Sequence, residues 1–361
     1  MNSTNKTPQM VAPKILDCTL RDGSYVIDFQ FTAVDTENIA RELDDVGFPY
    51  IEVGHGVGLG ATEHGKNIAA ASDIEYMQAA AKAVKRSKWG MFCIPGIARL
   101  DHLREAADQG MDFVRIGTDV SEIDSSAPFI ALARELGIEV YANFMKSYAL
   151  SPIEFACLAA RSAGFGAEMV YLVDSAGGMM PNEVRAYLQA ARTEAPNVVL
   201  GFHGHNNLGL AVANSLVCAE EGVAMVDTSL QGFGRSAGNT PTEQFISALV
   251  RSGYEVDIDP IKSMHLGEAL IRPRIDRRGL CSLDVVAGLA QFHSSYMSAV
   301  LGAAKRHRVD PRKLIIELCR HDRVNAPKDL IDRVAGNLEL DVFSPSLLPW
   351  SSYYGEEQSP K

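Results

Sequence analysis

The chain has 361 residues, 47% of them hydrophobic and 22% charged, with a net charge of −11. That is an ordinary globular composition, large enough for one sizeable core and a smaller unit beside it. The acidic balance argues against nucleic acid or an anionic membrane surface as partner. Cys18, Cys93, Cys157, Cys218, Cys281 and Cys319 are scattered with no Cys-x-x-Cys pair, which reads as free thiols in a reducing compartment. The polar start, Met1 to Pro13, lacks the apolar centre of a signal peptide, and no apolar run is long enough to span a bilayer. A cytoplasmic protein is expected.

From residue 15 to about 252, short apolar runs alternate with helix-period stretches. The runs are 15–20, 50–53, 89–94, 112–116, 138–144, 168–173, 197–203 and 225–230. Between them lie amphipathic stretches such as Asp35 to Val46, Asp73 to Val84, Asp124 to Leu136, Pro152 to Ala163, Pro181 to Glu194 and Leu208 to Glu221. Near-continuous apolar strands are those of a parallel sheet covered on both faces. Eight strand–helix units in about 240 residues match a (β/α)8 TIM barrel. The competing doubly wound sheet would want a Gly-x-Gly-x-x-Gly turn after its first strand, where this chain has Arg21-Asp22-Gly23-Ser24-Tyr25. Beyond residue 255 the pattern turns to helices without strands: Ile261 to Leu270, Ser282 to Ala304, Pro311 to Cys319 and Lys328 to Glu339. The expected division is therefore a barrel over 14–255, a C-terminal helical domain over 256–343 and a poorly ordered tail over 344–361.

In a TIM barrel the chemistry gathers at the carboxyl ends of the strands. His203-Gly204-His205 closes the seventh apolar run, and i, i+2 alternation turns both imidazoles to one face. Strand one ends in Arg21-Asp22. A carboxylate and two imidazoles at one barrel mouth form an open divalent-metal site, consistent with Mn²⁺, Mg²⁺, Co²⁺ or Fe²⁺ rather than closed structural zinc. Such an ion can polarise the keto group of a 2-oxo acid while a neighbouring arginine stabilises an enolate. Blander readings stand beside these. Glu52 and Arg115 can be interior ion-pair members, Asp174 a helix cap, and the glycine-rich stretch Gly54 to Gly60 a loop over the mouth.

The motifs Thr19-Leu20-Arg21-Asp22-Gly23, Ile51-Glu52-Val53-Gly54-His55-Gly56, Val173-Asp174-Ser175-Ala176-Gly177 and His203-Gly204-His205-Asn206-Asn207-Leu208 resemble those of metal-dependent pyruvate aldolases of the 4-hydroxy-2-oxovalerate aldolase type. These belong to a metallolyase barrel group that includes hydroxymethylglutaryl-CoA lyase and isopropylmalate synthase. The resemblance runs over roughly residues 14 to 335. It implies a divalent metal, Mn²⁺ before Mg²⁺ or Co²⁺, held by Asp22, His203 and His205. It also implies Arg21 on the pyruvate enolate, Ser175 at the substrate carboxylate, and Asn239 as a further metal-side contact. The implied reaction is cleavage of a 4-hydroxy-2-oxo acid to pyruvate and an aldehyde, or the reverse addition, in an oligomer that pairs with an acylating aldehyde dehydrogenase.

The chain departs from that pattern where the family usually has a catalytic histidine, here Tyr25, and a tyrosine, here His293. Lys146 also stands where an apolar residue is common. An imidazole titrating near ~6.5 suits a general base better than a phenol near ~10. The base role is therefore expected at His293, with Tyr25 beside it orienting it or passing the proton. The competing functions are an acyl-CoA condensing enzyme or lyase of the same barrel group, a non-haem iron oxygenase with the same ligand triad, and an inactive scaffold for a dehydrogenase.

Overall fold

The computed structural model describes residues 10–275 and 281–340. Eight strands close into a parallel barrel in chain order. They are β1 (Lys14–Asp17), β2 (Tyr50–Val53), β3 (Lys88–Cys93), β4 (Phe113–Asp119), β5 (Glu139–Met145), β6 (Met169–Asp174), β7 (Leu200–Gly204) and β8 (Met225–Thr228). Closure is made by β8 on β1, with Ile15 opposite Val226 and Asp17 opposite Thr228. Each expected run supplies one strand, so the (β/α)8 reading holds. Every residue of β4 and β6 is buried, as two-sided cover of a parallel sheet requires.

Helices α1 (Ala33–Val46), α2 (Asp73–Ala83), α3 (Leu100–Asp108), α4 (Ala127–Glu135), α5 (Pro152–Phe165), α6 (Pro181–Glu194), α7 (Ala211–Glu220) and α8 (Thr242–Arg251) alternate with these strands. Several start at reciprocal capping boxes, Thr32 with Asp35, Ser72 with Glu75 and Ser151 with Glu154. Each box satisfies amide groups that the first helical turn leaves open. A short parallel ladder of Met10–Val11 on Tyr254–Glu255 has no counterpart in the sequence reading.

Two differences from the sequence reading shape the site. β1 stops at Asp17, not at Leu20, because the amides of Arg21 and Asp22 both fold back onto the Cys18 carbonyl, at 3.2 and 2.8 Å. That turn opens a 3₁₀ helix over Asp22–Ile27 and sets Asp22 at the barrel mouth. The expected helix over Ser282 to Ala304 is broken. α10 (Ser282–Ala290) ends where Gln291 takes a left-handed φ of 56°, and α11 (Met297–His307) begins only after a 3₁₀ turn at Ser294–Tyr296. The break directs His293 inward, where it is buried.

After α8 come α9 (Pro260–Leu266), then α10 and α11, then α12 (Pro311–His321) and α13 (Lys328–Asn337). The last four bury their own apolar cluster, including Leu283, Met297, Val300, Leu314, Leu318 and Ile331. This layer rests on the barrel loops. Asn207 Nδ2 donates to the Asp284 carbonyl at 2.9 Å, and Lys146 Nζ donates to the Val324 carbonyl at 2.7 Å. At Gly178 a Cβ would lie 2.2 Å from the Gly288 carbonyl oxygen, so the two segments meet backbone to backbone. Among the described residues no helix is long and apolar enough to cross a membrane. The tail assigned to 344–361 lies outside the described residues.

Candidate metal centre and active-site cleft

Strand alternation layers the barrel interior. Tyr50, Phe113, Tyr141, Tyr171 and Met225 form one apolar floor. Two residues further along their strands stand Glu52, Arg115 and Asp227, all buried. Above them, at the mouth, Asp22, His203 and His205 converge, with one ligand atom of each within 4.8 Å of the others.

The donor set fits a divalent ion. His203 Nδ1 lies 2.8 Å from Asp227 Oδ2 and His205 Nδ1 lies 3.3 Å from the Gly238 carbonyl. Both partners are acceptors, so each Nδ1 carries the proton and each Nε2 keeps its lone pair for a ligand. Asp22 Oδ2 is buried without a hydrogen-bond partner, as is Asn239 Oδ1. Burial works to raise Asp22, but Arg21, His205, His203 and Arg235 outweigh it and hold the carboxyl well below the usual carboxylate range. Burial, reinforced by His203 and Arg235, lowers His205 to about 3 against the pull of Asp22. A ligating imidazole has to be neutral and a ligating carboxylate charged, conditions that His205 and Asp22 meet.

A continuous ionic network runs from the mouth through the interior. Arg21 Nη1 meets Asp22 Oδ1 and Arg21 Nε meets Glu52 Oε2, both at 2.6 Å. Glu52 in turn takes Arg115 Nε at 2.8 Å, and a second Arg115 nitrogen pairs with Asp227. Arg115 and Glu52 are therefore interior ion-pair members. Asp174 is not the helix cap the sequence reading offered: its carboxylate accepts from the Gly178 and Met179 amides at 3.1 and 2.9 Å, both ahead of Met180, the N-cap of α6, so it pins the β6–α6 loop instead.

The cleft above this layer is lined by Arg21, Asp22, Tyr25, Ser175, His203, His205 and Arg235, with Asn143 and the apolar side chains of Phe92, Ile94, Met145 and Val173. Ser175 Oγ accepts from the Lys146 amide at 3.0 Å, which orients it. Lys146 takes a left-handed φ of 63° and points away, its Nζ on Asp119 at 3.1 Å as well as on Val324.

Tyr25 is on the cleft wall, whereas His293 lies behind Arg235. Arg235 Nη2 sits 3.1 Å from His293 Nε2, and its guanidinium lies over the Tyr25 ring at 5.5 Å. Since Arg235 can only donate, His293 Nε2 is the acceptor in that pair, while His293 Nδ1 lies 2.7 Å from Ser295 Oγ and 3.3 Å from the Ser295 amide nitrogen. Burial above all, and then Arg235, Lys146 and His205, hold His293 neutral to well below its ordinary range. Arg235 thus touches both members of the pair that the sequence reading places side by side, Tyr25 and His293. Sequence reasoning did not single out Arg235 or Asp227. An arginine among the glycines after strand eight was the available signal for the first, and inward alternation along β8 for the second.

The HMGL-like family pattern matches residues 12–270. The chain is 38% identical over 328 residues to a 4-hydroxy-2-oxovalerate aldolase of Geobacillus genomosp. 3, covering 91% of this chain and 97% of that one. It is 37% identical over 326 residues to a protein of the same name from Carboxydothermus hydrogenoformans, covering 90% and 97%. Among solved structures, HMG-CoA lyase from Brucella melitensis superposes with a TM-score of 0.62 at 20% identity, covering 73% of this chain and 99% of that one, a likeness of fold. The chain is a member of the HMGL-like family.

Proposed function

We propose that the protein is a divalent-metal-dependent aldolase that cleaves a 4-hydroxy-2-oxo acid to pyruvate and an aldehyde and runs the reverse addition. The observation that carries this reading is the convergence of Asp22, His203 and His205 beside Arg21 in one cleft. The relatives named as aldolases, matched over nine-tenths of the chain, support it. One carboxylate and two imidazoles favour an ion that keeps open positions, Mn²⁺ first, with Mg²⁺ and Co²⁺ as alternatives. When bound, that ion supplies Lewis-acid polarisation of a 2-oxo group.

The chain's own residues do the rest. Ser175 holds the substrate carboxylate, with its hydroxyl set by the Lys146 amide. Arg21, pinned by Glu52 and Asp22, presents a fixed cation where negative charge develops on the 2-oxo oxygen. The C4 hydroxyl proton leaves through Tyr25 to His293 Nε2 as Arg235 yields its hydrogen bond. The C3–C4 bond then breaks, C4 departs as the aldehyde carbon, and the electron pair passes to the enolate. Return of a proton to C3 gives pyruvate. The resemblance in sequence also supports reading residues 256–343 as a helical domain. On the same ground we place the enzyme in the cytoplasm as an oligomer that passes its aldehyde to an acylating dehydrogenase.

The test is a screen for pyruvate release from 4-hydroxy-2-oxo acids of graded chain length, with and without chelator. Release that requires a divalent ion, and is lost in Asp22→Asn, His203→Ala and His205→Ala, is expected. Full activity after thorough chelation would discard the reading.

A further inference from the structure

We propose that Asn143 selects the aldehyde half of the substrate: its carboxamide oxygen accepts a hydrogen bond from a hydroxyl beyond C4, so the aldehyde released is a hydroxyaldehyde rather than an alkanal. This rests on the aldolase reading and names its substrate class. Asn143 is 4% exposed and lines the cleft from β5. Its Oδ1 is buried with no hydrogen-bond partner among the described residues. A buried carbonyl oxygen without a donor is costly, and native folds rarely keep one. The neighbouring strands do not supply the donor. Gly117, opposite Asn143 on β4, has no side chain, and a Cβ there would lie 2.3 Å from the Phe92 ring. Tyr171, opposite on β6, belongs to the apolar floor below. The donor has to come from the cleft.

Placement around the barrel says which part of the substrate brings it. Arg21, Ser175 and the three convergent ligands, which take the pyruvate half, stand on or just after β1, β6 and β7. Tyr25, which receives the C4 hydroxyl proton, lies in the 3₁₀ turn after β1. The remainder of the substrate therefore extends toward the arc of β3 and β5. There the cleft is lined by Phe92, Ile94 and Met145, all apolar, and by Asn143. A single polar group in an apolar wall is how a site fixes one substrate hydroxyl and its orientation. The C4 hydroxyl has only one proton and gives it to Tyr25, so Asn143 calls for a second hydroxyl. A methyl in its place would bury the carboxamide oxygen unpaired, the arrangement by which a site rejects the analogue that lacks the donor.

Two measurements decide this. The first is addition of pyruvate to paired aldehydes, glycolaldehyde against propanal and 3-hydroxypropanal against butanal, in the manganese-loaded protein. In each addition pyruvate C3 loses a proton and bonds to the aldehyde carbon, whose oxygen gains one, so the members of a pair differ only as hydroxyl against methyl. The ratio of their kcat/KM values is compared between wild type and Asn143→Leu, which cancels the intrinsic reactivity of the aldehydes. Asn143→Leu is of similar size and apolar, and should lower the hydroxyl-to-methyl ratio at least about tenfold in one pair. Asn143→Asp keeps an acceptor oxygen and should keep most of the ratio. Asn143→Leu should also melt no lower than wild type, since it removes a dipole that the fold leaves unpaired, and Asn143→Ala gives the same kinetic comparison where the leucine does not fold. The second measurement is calorimetry with 2-oxo acids that lack the C4 hydroxyl and cannot be cleaved: 5-hydroxy-2-oxopentanoate against 2-oxohexanoate, and 6-hydroxy-2-oxohexanoate against 2-oxoheptanoate, counting the open-chain form. The hydroxylated member of one pair should bind more tightly, and the margin should vanish in Asn143→Leu or Asn143→Ala. Ratios and margins that these variants leave unchanged in both pairs overturn the proposal. Failure of every aldehyde to react overturns the aldolase reading instead, and the uncleavable probes still judge Asn143.

Discussion

Asp227 Oδ2 accepts the Nδ1 proton of His203 at 2.8 Å while also pairing with Arg115, so one carboxylate oxygen joins a candidate metal ligand to the charged layer inside the barrel. The bond fixes the tautomer that leaves His203 Nε2 open. Asp227→Asn is expected to weaken Mn²⁺ binding by about 10–100-fold, the usual loss when the partner of a ligating histidine is removed. It also leaves Arg115 short of one counter-charge in a fully buried position, which should lower stability by roughly 3–5 kcal/mol. Metal titration by calorimetry and chemical denaturation measure the two effects separately. Wild-type metal affinity in Asp227→Asn would show that the bond plays no part in ligand geometry.

The barrel was legible because its strands are short, largely apolar and regularly spaced, and because capping residues such as Ser72 and Ser151 mark where helices begin. His203 and His205 could be picked out because they stand at the end of β7, and Asp22 because it follows the first apolar run, although it is the turn after β1 that carries it to the mouth. What sequence could not show depends on backbone turns and long-range contacts. The left-handed Gln291 gives no local sign, yet it breaks the helix and swings His293 in. The reach of Arg235 into the cleft depends on the left-handed Ser236 that follows it and on the α10–α11 layer that supplies His293. Tyr25 and His293 could be read as a pair, but the residue joining them comes from a third segment.

Arg21 is held from two sides by Glu52 and Asp22. Arg21→Lys keeps a cation but cannot reproduce the fork, so it should lose most of the transition-state contribution of about 2.7–4 kcal/mol typical of such a donor. Mn²⁺ affinity should fall far less, since Asp22, His203 and His205 remain. Deuterium exchange at pyruvate C3, followed by NMR, isolates enolisation from aldehyde chemistry. Wild-type exchange in Arg21→Lys would remove this residue from enolate stabilisation.

His55 lies off the cleft, stacked on Phe29 with ring centroids 4.0 Å apart, its Nδ1 accepting from the Val57 amide at 3.1 Å. Burial lowers its pKa to about 4. The folded value is below the unfolded value, so the stabilisation is complete above about pH 6.5 and is lost as pH falls through 4. In that window the unfolded chain takes up a proton the folded chain refuses, worth up to about 3 kcal/mol in all. His55→Gln should be less stable than wild type at neutral pH but show a shallower decline between pH ~6.5 and ~4. Denaturation curves across that range check it, and parallel declines for the two proteins would mean that His55 does not set the acid limit.

The proton path is tested by the pH dependence of turnover. A base must be unprotonated to act, so kcat rises with pH through its pKa. Burial, with Arg235, Lys146 and His205 nearby, keeps His293 neutral to well below its ordinary range. The rising limb should therefore lie on the acid side of ~6.5, with a flat profile at neutral pH. His293→Ala should remove that limb and cut kcat by about 10²–10⁴-fold, the range for a positioned base. Tyr25→Phe keeps the imidazole and loses only the relay, so its limb should stay in place at reduced kcat. Arg235→Gln withdraws a neighbouring positive charge from His293 Nε2, so the limb should move toward higher pH. These three shifts differ in kind, which separates a base from a packing residue. A limb that stays put in both His293→Ala and Arg235→Gln would assign the base to another group.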